Sequence, residues 1–173
     1  DIDLDDRVWF GTPEPLFSFG LNVSLAYKNV DFSMFWEGKA GWTAYTPTKS
    51  QTDFYAVAAE GTNRGKRILN AWTPENNKSK IPAIAYSNDN DEGRTSTYLY
   101  ENHSFAKLRN IQVGYSFNFP ALKSAGIDKL RIYVTGQNLI QITSKDFSGV
   151  DPEQTSYSYP LPLTVIAGLQ LGF

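Results

Sequence analysis

Hydrophobic and polar residues alternate along five stretches of this chain. From Phe17 to Tyr27 the odd positions Phe17, Phe19, Leu21, Val23, Leu25 and Tyr27 are apolar or aromatic, and Ser18, Gly20, Asn22, Ser24 and Ala26 fill the even ones. A period of two sustained this long predicts a strand with one apolar face, not a helix. After Lys28-Asn29 the pattern resumes with Val30, Phe32, Met34 and Trp36 set against Asp31, Ser33 and Glu37. A two-residue turn pairs Tyr27 with Val30, so the odd face of the first strand continues as the even face of the second.

The third run carries Ile111, Val113, Tyr115, Phe117 and Phe119, and strict alternation extends that face back through Arg109, Lys107 and Phe105. A turn region, "PALKSAGID", leads to a fourth run in which Leu130, Ile132 and Val134 oppose Arg131, Tyr133, Thr135 and Gln137. The fifth run is Leu161, Leu163, Val165, Ala167, Leu169, Leu171 and Phe173. The connections come in two sizes: Lys28-Asn29 and residues 120–129 are short, whereas residues 42–104 and 143–160 are long. Tight turns at one end and long loops at the other are the asymmetry of an outer-membrane barrel, whose strands need about ten residues to cross the apolar layer.

The chain therefore divides into an acidic extracellular loop (1–15), a hairpin (16–41), a long extracellular loop (42–104), a second hairpin (105–142), a further extracellular loop (143–160) and a closing strand (161–173). Tyr27, Phe117, Phe119 and Phe173 fall at the short-turn end, where a girdle of aromatics would mark the membrane interface. A soluble β-sandwich or small β-barrel that binds carbohydrate or peptide would show the same period, and is the alternative. The loop asymmetry favours the membrane.

Composition sharpens this picture only slightly. Aromatics make up 14% of the 173 residues, cysteine is absent and methionine appears once, a bias toward strands. A net charge of −2 offers no polycation for nucleic acid. No apolar run reaches the roughly 18 residues of a membrane helix, but alternating strands keep mean hydropathy low, and −0.37 is compatible with a membrane barrel. Five strands cannot close such a barrel, because the smallest use about eight and an open edge in lipid leaves backbone groups unsatisfied. The expected fold is thus all-β: about five C-terminal strands of a larger antiparallel transmembrane barrel, with Phe173 as its terminal aromatic.

Four stretches together resemble the SusC/RagA-like TonB-dependent outer-membrane transporters: "IDLDDRVWFGTPEPLFSFGLNVSLAYKNVDFSMFWEGKAG", "SFAKLRNIQVGYSFNFP", "LRIYVTGQNLIQITSKDFSGVDPE" and "YPLPLTVIAGLQLGF". Most specific are "RIYVTGQNL", Asp151-Pro152-Glu153 and the Tyr-Pro before the last strand. The resemblance implies a barrel of about 22 strands in the cell outer membrane, filled by an N-terminal plug. It further implies energy supplied through TonB and a SusD-like surface lipoprotein that captures glycans or peptides. The plug and the remaining strands would be partners of this chain, as would the lipid bilayer.

Candidate chemistry is sparse. "DIDLDDR" places carboxylates closely enough to suggest calcium, with Asp3 and Asp6 as ligands; no other cofactor is required. An EF-hand register read from Asp1 fails, since position 6 is Asp6 and position 12 is Thr12. "SNDNDEG" reads as a polar loop. His103 is the single histidine, so neither an imidazole-based zinc cluster nor a Ser-His-Asp triad assembles around it, and it reads as an interfacial or loop residue. Asp53, Glu60, Glu75 and Glu92 lie in the long loop with nothing to fix a hydrolytic carboxylate pair, and no enzyme activity is expected. Trp42, Tyr45, Trp72 and Tyr86 punctuate that loop as candidate contacts for a ligand or a lid, and Arg64, Lys66 and Arg67 as partners for anionic groups. Gly20, Ser24, Gly168 and Gly172 are small residues on the inward face that would suit close packing of a plug.

Overall fold

The computed structural model describes residues 4–53, 63–85, 94–124, 126–156 and 158–173. Its strands are β1 (Phe17–Tyr27), β2 (Val30–Ala40), β3 (Thr43–Tyr45), β4 (Tyr100–Asn102), β5 (Phe105–Phe117), β6 (Lys129–Thr143) and β7 (Thr164–Gly172), joined by short helices α1 (Pro47–Thr52) and α2 (Pro120–Ser124). The chain divides into two compact units. One comprises residues 15–40, 104–144 and 161–173; the other comprises residues 1–14, 41–103 and 145–160.

The first unit is a single antiparallel sheet in the order β1-β2-β5-β6-β7. The expected hairpin register holds, with Tyr27 opposite Val30 and Leu25 opposite Phe32. Following the register across the sheet gives continuous apolar rows. Leu25, Phe32, Val113, Val134 and Ala167 form one, and Tyr27, Val30, Tyr115, Ile132 and Leu169 the next. Among the described residues nothing covers these two rows: Leu25 is 62% exposed, Val134 49% and Leu169 58%. An apolar surface of that extent demands a partner or lipid. The opposite face is polar, as in the row Ser24, Ser33, Gln112 and Thr135, where the Thr135 hydroxyl donates to Gln112 Oε1 at 2.9 Å. Among the described residues no helix is long and apolar enough to cross a membrane.

Strict alternation fails in β5 at one place. Trp36 pairs with Leu108 and Phe35 with Asn110, leaving Arg109 as an extra residue in a bulge. The bulge inverts the facing of everything before it. Leu108 therefore shares the apolar face with Trp36 and Ile140, whereas Phe105 and Lys107 join Glu37 and Gln141 on the polar face. This corrects the expectation that Phe105, Lys107 and Arg109 continue the face of Ile111. Arg109 instead reaches Glu37, its Nε donating to Oε2 at 2.8 Å.

The facing irregularity in β6 sits in "VTGQNL". Asn138 adopts a left-handed φ of 55°, a conformation asparagine tolerates better than most residues. It brings Leu139 back over Gly136, where a Cβ would lie 2.9 Å from Leu139 Cγ. The Asn138 side-chain amide donates to the carbonyl of Pro162 at 3.2 Å. Glycine, asparagine and leucine at this spacing thus form one packing device.

On the polar face the carboxylate of Asp31 on β2 meets the guanidinium of Arg131 on β6, with Nε donating to Oδ1 at 2.9 Å. The pair passes over the intervening strand β5 at Gly114, where a Cβ would stand 2.6 Å from both Asp31 oxygens. Arg131 also lies over the Tyr133 ring, 4.9 Å from its centroid. Tyr133 in turn covers Gly168, whose added Cβ would come within 2.7 Å of the ring.

The second unit contains the two-stranded sheet β3-β4, with Ala44 opposite Glu101 and Tyr45 opposite Tyr100. This ladder lies within residues 42–104, where the hydropathy pattern shows only a long loop. Within "RGKRILNAWTPENN" the chain makes a short 3-10 turn, Lys66–Asn70, ending before Pro74.

Candidate functional site

Residues 99, 101 and 103 point one way from β4 and its flanks, and residues 44 and 46 from β3 do the same; all five are buried. Only Ala44 and Leu99 are apolar, so this small unit is centred on polar groups. Such groups are stable away from water only when their hydrogen bonds are made.

Glu101 is the hub. Its carboxylate accepts the Ser148 backbone N–H at 2.9 Å and the Ser148 hydroxyl at 2.9 Å, Lys49 Nζ at 3.0 Å and the Thr46 hydroxyl at 3.0 Å. Lys49 also donates to the Tyr98 carbonyl at 2.8 Å and sits 4.1 Å from the centre of the Tyr98 ring. The Tyr98 hydroxyl donates to Asp53 Oδ2 at 2.6 Å, and Asp53 takes Arg67 on its other oxygen. His103 lies in the irregular segment between β4 and β5, as a loop residue, but fully buried. Its Nδ1 bonds the Pro152 carbonyl at 2.8 Å, its Nε2 meets Thr46 Oγ1 at 3.1 Å, and the rings of Trp42 and Phe147 stand edge-on to it. One connected network therefore ties residues 42–53, 64–72, 96–103 and 147–152 together.

Its ionisation follows from these contacts. Burial alone would raise the Glu101 pKa, but the Ser148 and Lys49 hydrogen bonds outweigh it and hold the carboxyl below its ordinary value. Burial pushes His103 down, against the opposing pull of the Pro152 carbonyl and the Glu101 charge. Burial and the hydrogen bond to Asp53 push the Tyr98 hydroxyl well above its ordinary range. For the two lowered groups, stabilisation is complete above their ordinary values of about 4.3 and 6.5 and is lost as pH falls through the folded-state values. For Tyr98 it is complete below about pH 10 and fades as pH rises beyond.

A second feature of this unit is a groove of about 1310 Å³ lined by Leu4, the stretch Asp6 to Pro13, Thr43, Arg94 to Thr97 and Tyr100. Trp9 is 92% exposed at it. Phe10 packs edge-on against Tyr100 at 5.3 Å between centroids, and Tyr100 against Tyr45 at 5.8 Å. Arg7 and Arg94 add cations to the lining and Asp6 a carboxylate. Flat apolar rings beside charged and hydroxyl groups provide stacking and hydrogen bonding together, as sugars and peptide side chains require.

The residues singled out from the sequence are dispersed. Trp42 donates its indole N–H to the His103 carbonyl at 2.9 Å, inside the network. Tyr45 borders the groove through Tyr100. Trp72 is 42% exposed, its backbone N–H bonded to the Ile81 carbonyl at 2.9 Å. Tyr86, Glu60, Glu92, Asp3 and all of "SNDNDEG" lie outside the described residues. Asp6 is exposed, and among the described residues no cluster of three or more His, Asp or Glu side chains converges as a metal site. Asp53 and Arg67 pair with each other, Arg64 donates to the Gln51 carbonyl at 3.1 Å, and Lys66 and Glu75 are exposed. Phe173 is exposed just beyond β7. Trp9 and Phe10 lie within a stretch that carries the family resemblance, yet nothing in the hydropathy pattern marked them.

No protein-family model matches the chain. TonB-dependent receptor P3 of Formosa agariphila is 32% identical over 153 residues, covering 88% of this chain and 14% of that protein. TonB-dependent receptor SusC of Bacteroides thetaiotaomicron is 30% identical over 178 residues, covering 99% of this chain and 16% of that protein. In fold, the chain matches a structure of the RagAB peptide importer in its open-open state, with a TM-score of 0.79 and 23% identity over 100% of this chain and 19% of that one. The chain thus spans less than a fifth of the length of the relatives it matches. These relatives are receptors and importers, not enzymes. The chain is a homologue of TonB-dependent receptors such as SusC, and its five long strands match part of a β-barrel of that kind; among the described residues the sheet does not close.

Proposed function

We propose that this chain supplies part of the wall and part of the loops of an outer-membrane importer of glycans or peptides, one that works with a SusD-like surface lipoprotein and draws energy through TonB. The observation that carries this reading is the uncovered apolar face running across all five strands, which in a TonB-dependent receptor is the face turned to lipid. In this reading the remaining strands and the plug come from the rest of the receptor, and the groove around Trp9 and Phe10 contacts cargo or lid.

The groove is tested in the assembled receptor by comparing Trp9→Ala and Trp72→Ala with the parent for uptake of labelled oligosaccharides and peptides. Loss of one stacking ring at the groove is worth roughly a threefold to tenfold drop. Trp9→Ala is expected to lower uptake by that factor at unchanged receptor level, with Trp72→Ala less affected. Unchanged uptake and unchanged co-purification of the lipoprotein in Trp9→Ala would remove the groove from the account.

A further inference from the structure

We propose that the Thr46 hydroxyl is a two-way relay that lets the buried His103 gain or lose a proton without any heavy atom moving, limiting how far residues 147–154 loosen as the medium acidifies. The inference concerns the fold of this unit and holds whatever the receptor carries.

The argument is a count of protons. The Pro152 carbonyl can only accept, so His103 Nδ1 carries a hydrogen and donates to it at 2.8 Å. In the neutral imidazole Nε2 is then a bare acceptor, and the Thr46 hydroxyl, 3.1 Å away, donates to it. Glu101 does not miss that hydrogen, because Ser148 and Lys49 already fill its oxygens. When His103 takes a proton, Nε2–H donates to Thr46 Oγ1, and the hydroxyl turns to donate to Glu101 Oε2 at 3.0 Å. Both states leave every group partnered, and in the charged one the imidazolium is linked through a single hydroxyl to a carboxylate.

Two further observations support the assignment. Thr46 occupies the N-cap position of α1, ahead of Pro47, yet its side chain makes no cap hydrogen bond; the hydroxyl is committed to His103 and Glu101 instead. A cavity of about 30 Å³, lined by Thr46, Asp151, Gln154, Ser156 and Ser158 among others, is roomy and polar enough for a water. It gives protons a route to the hydroxyl. The charged and titratable groups around His103 are Glu101 through Thr46, Lys49 on Glu101, and Asp151, which precedes Pro152 and accepts the Glu153 N–H at 3.0 Å; the Trp42 and Phe147 rings stand edge-on to it.

The test is amide hydrogen exchange across residues 147–154 in the assembled receptor at pH 7.5 and pH 5, expressed as protection relative to the free peptide, for the parent, T46S and T46V. Valine keeps the shape and deletes the relay, so the protonated ring loses its charge-assisted acceptor. The acid-induced fall in protection is expected to be about tenfold larger in T46V than in the parent, with T46S matching the parent. A difference below threefold, or an equal loss in T46V at both pH values, would overturn the relay and leave Thr46 a packing residue. If T46V fails to assemble, the parent decides alone: protection must fall less than threefold between the two pH values, and a larger fall overturns the proposal.

Discussion

Glu101→Leu releases residues 145–160 from the rest of their unit and costs its folded form about 3 kcal/mol, the lower end for removing one partner of a buried ion pair. Leucine fills the space but accepts nothing, so the Ser148 N–H and hydroxyl and the Lys49 ammonium lose a partner at once, and the Thr46 hydroxyl loses the acceptor it turns to when His103 is charged. Lys49 keeps the Tyr98 carbonyl and ring, which holds the penalty to that end of the range. Glu101→Gln retains one accepting oxygen and should cost about half as much. Hydrogen exchange and limited proteolysis of the assembled receptor read the effect directly: protection lost in the 147–154 region with barrel strands unchanged is the expected result, and an unaltered pattern in Glu101→Leu would show that the network does not anchor the segment. Because the Glu101 pKa is lowered by its partners, the anchoring contribution is whole above about pH 4.3 and declines on acidification below it. The Glu101→Leu receptor should lack that component of acid sensitivity.

Gly114→Val is expected to destabilise the barrel by about 3 kcal/mol, from overpacking combined with loss of a charge-assisted hydrogen bond. The reason is local. A side chain at 114 enters the space through which Arg131 reaches Asp31 across β5, and backbone on both sides is fixed by ladders to β2 and β6. Either the ion pair separates or the strands spread. Removing the pair first should relieve the conflict, so in an Asp31→Ala/Arg131→Leu background the same valine should cost less than about 1 kcal/mol, a coupling that only neighbours show. Urea unfolding of the receptor in detergent measures both values. Equal penalties in the two backgrounds would mean that Gly114 serves the backbone and not the ion pair.

The sheet was legible in the sequence because its period and its turn agree. Apolar residues at every second position fixed which face of β1 and β2 is shared, and the two-residue turn fixed Tyr27 opposite Val30. The bulge at Arg109 was not legible, since it depends on a partner strand: Asn138 in its left-handed conformation and Leu139 folded over Gly136 insert the extra length that β5 must match. The polar network was hidden for a different reason. Its buried positions alternate as regularly as any strand, but Thr46, Glu101 and His103 are residues that a hydropathy pattern assigns to the surface. The single histidine has no second imidazole for metal or catalysis, and its partners are a threonine and a proline carbonyl, neither of which carries a sequence signature. Trp9 lies outside every alternating run, so the hydropathy pattern assigns it no face.

The central claim is that the apolar face of the five strands is turned to hydrocarbon. The chain has no cysteine, so single cysteines at Val113, Val134 and Leu169 on one face, and at Gln112 and Thr135 on the other, can carry spin labels in the receptor reconstituted into bilayers, provided any cysteines elsewhere in it are first replaced. Labels at 113, 134 and 169 should collide readily with dissolved oxygen and be shielded from a water-soluble nickel complex, and labels at 112 and 135 should show no such preference for oxygen. Labels at 113, 134 and 169 that are reached by the nickel complex, or by neither reagent, would place those side chains in water or in a protein core and contradict the account.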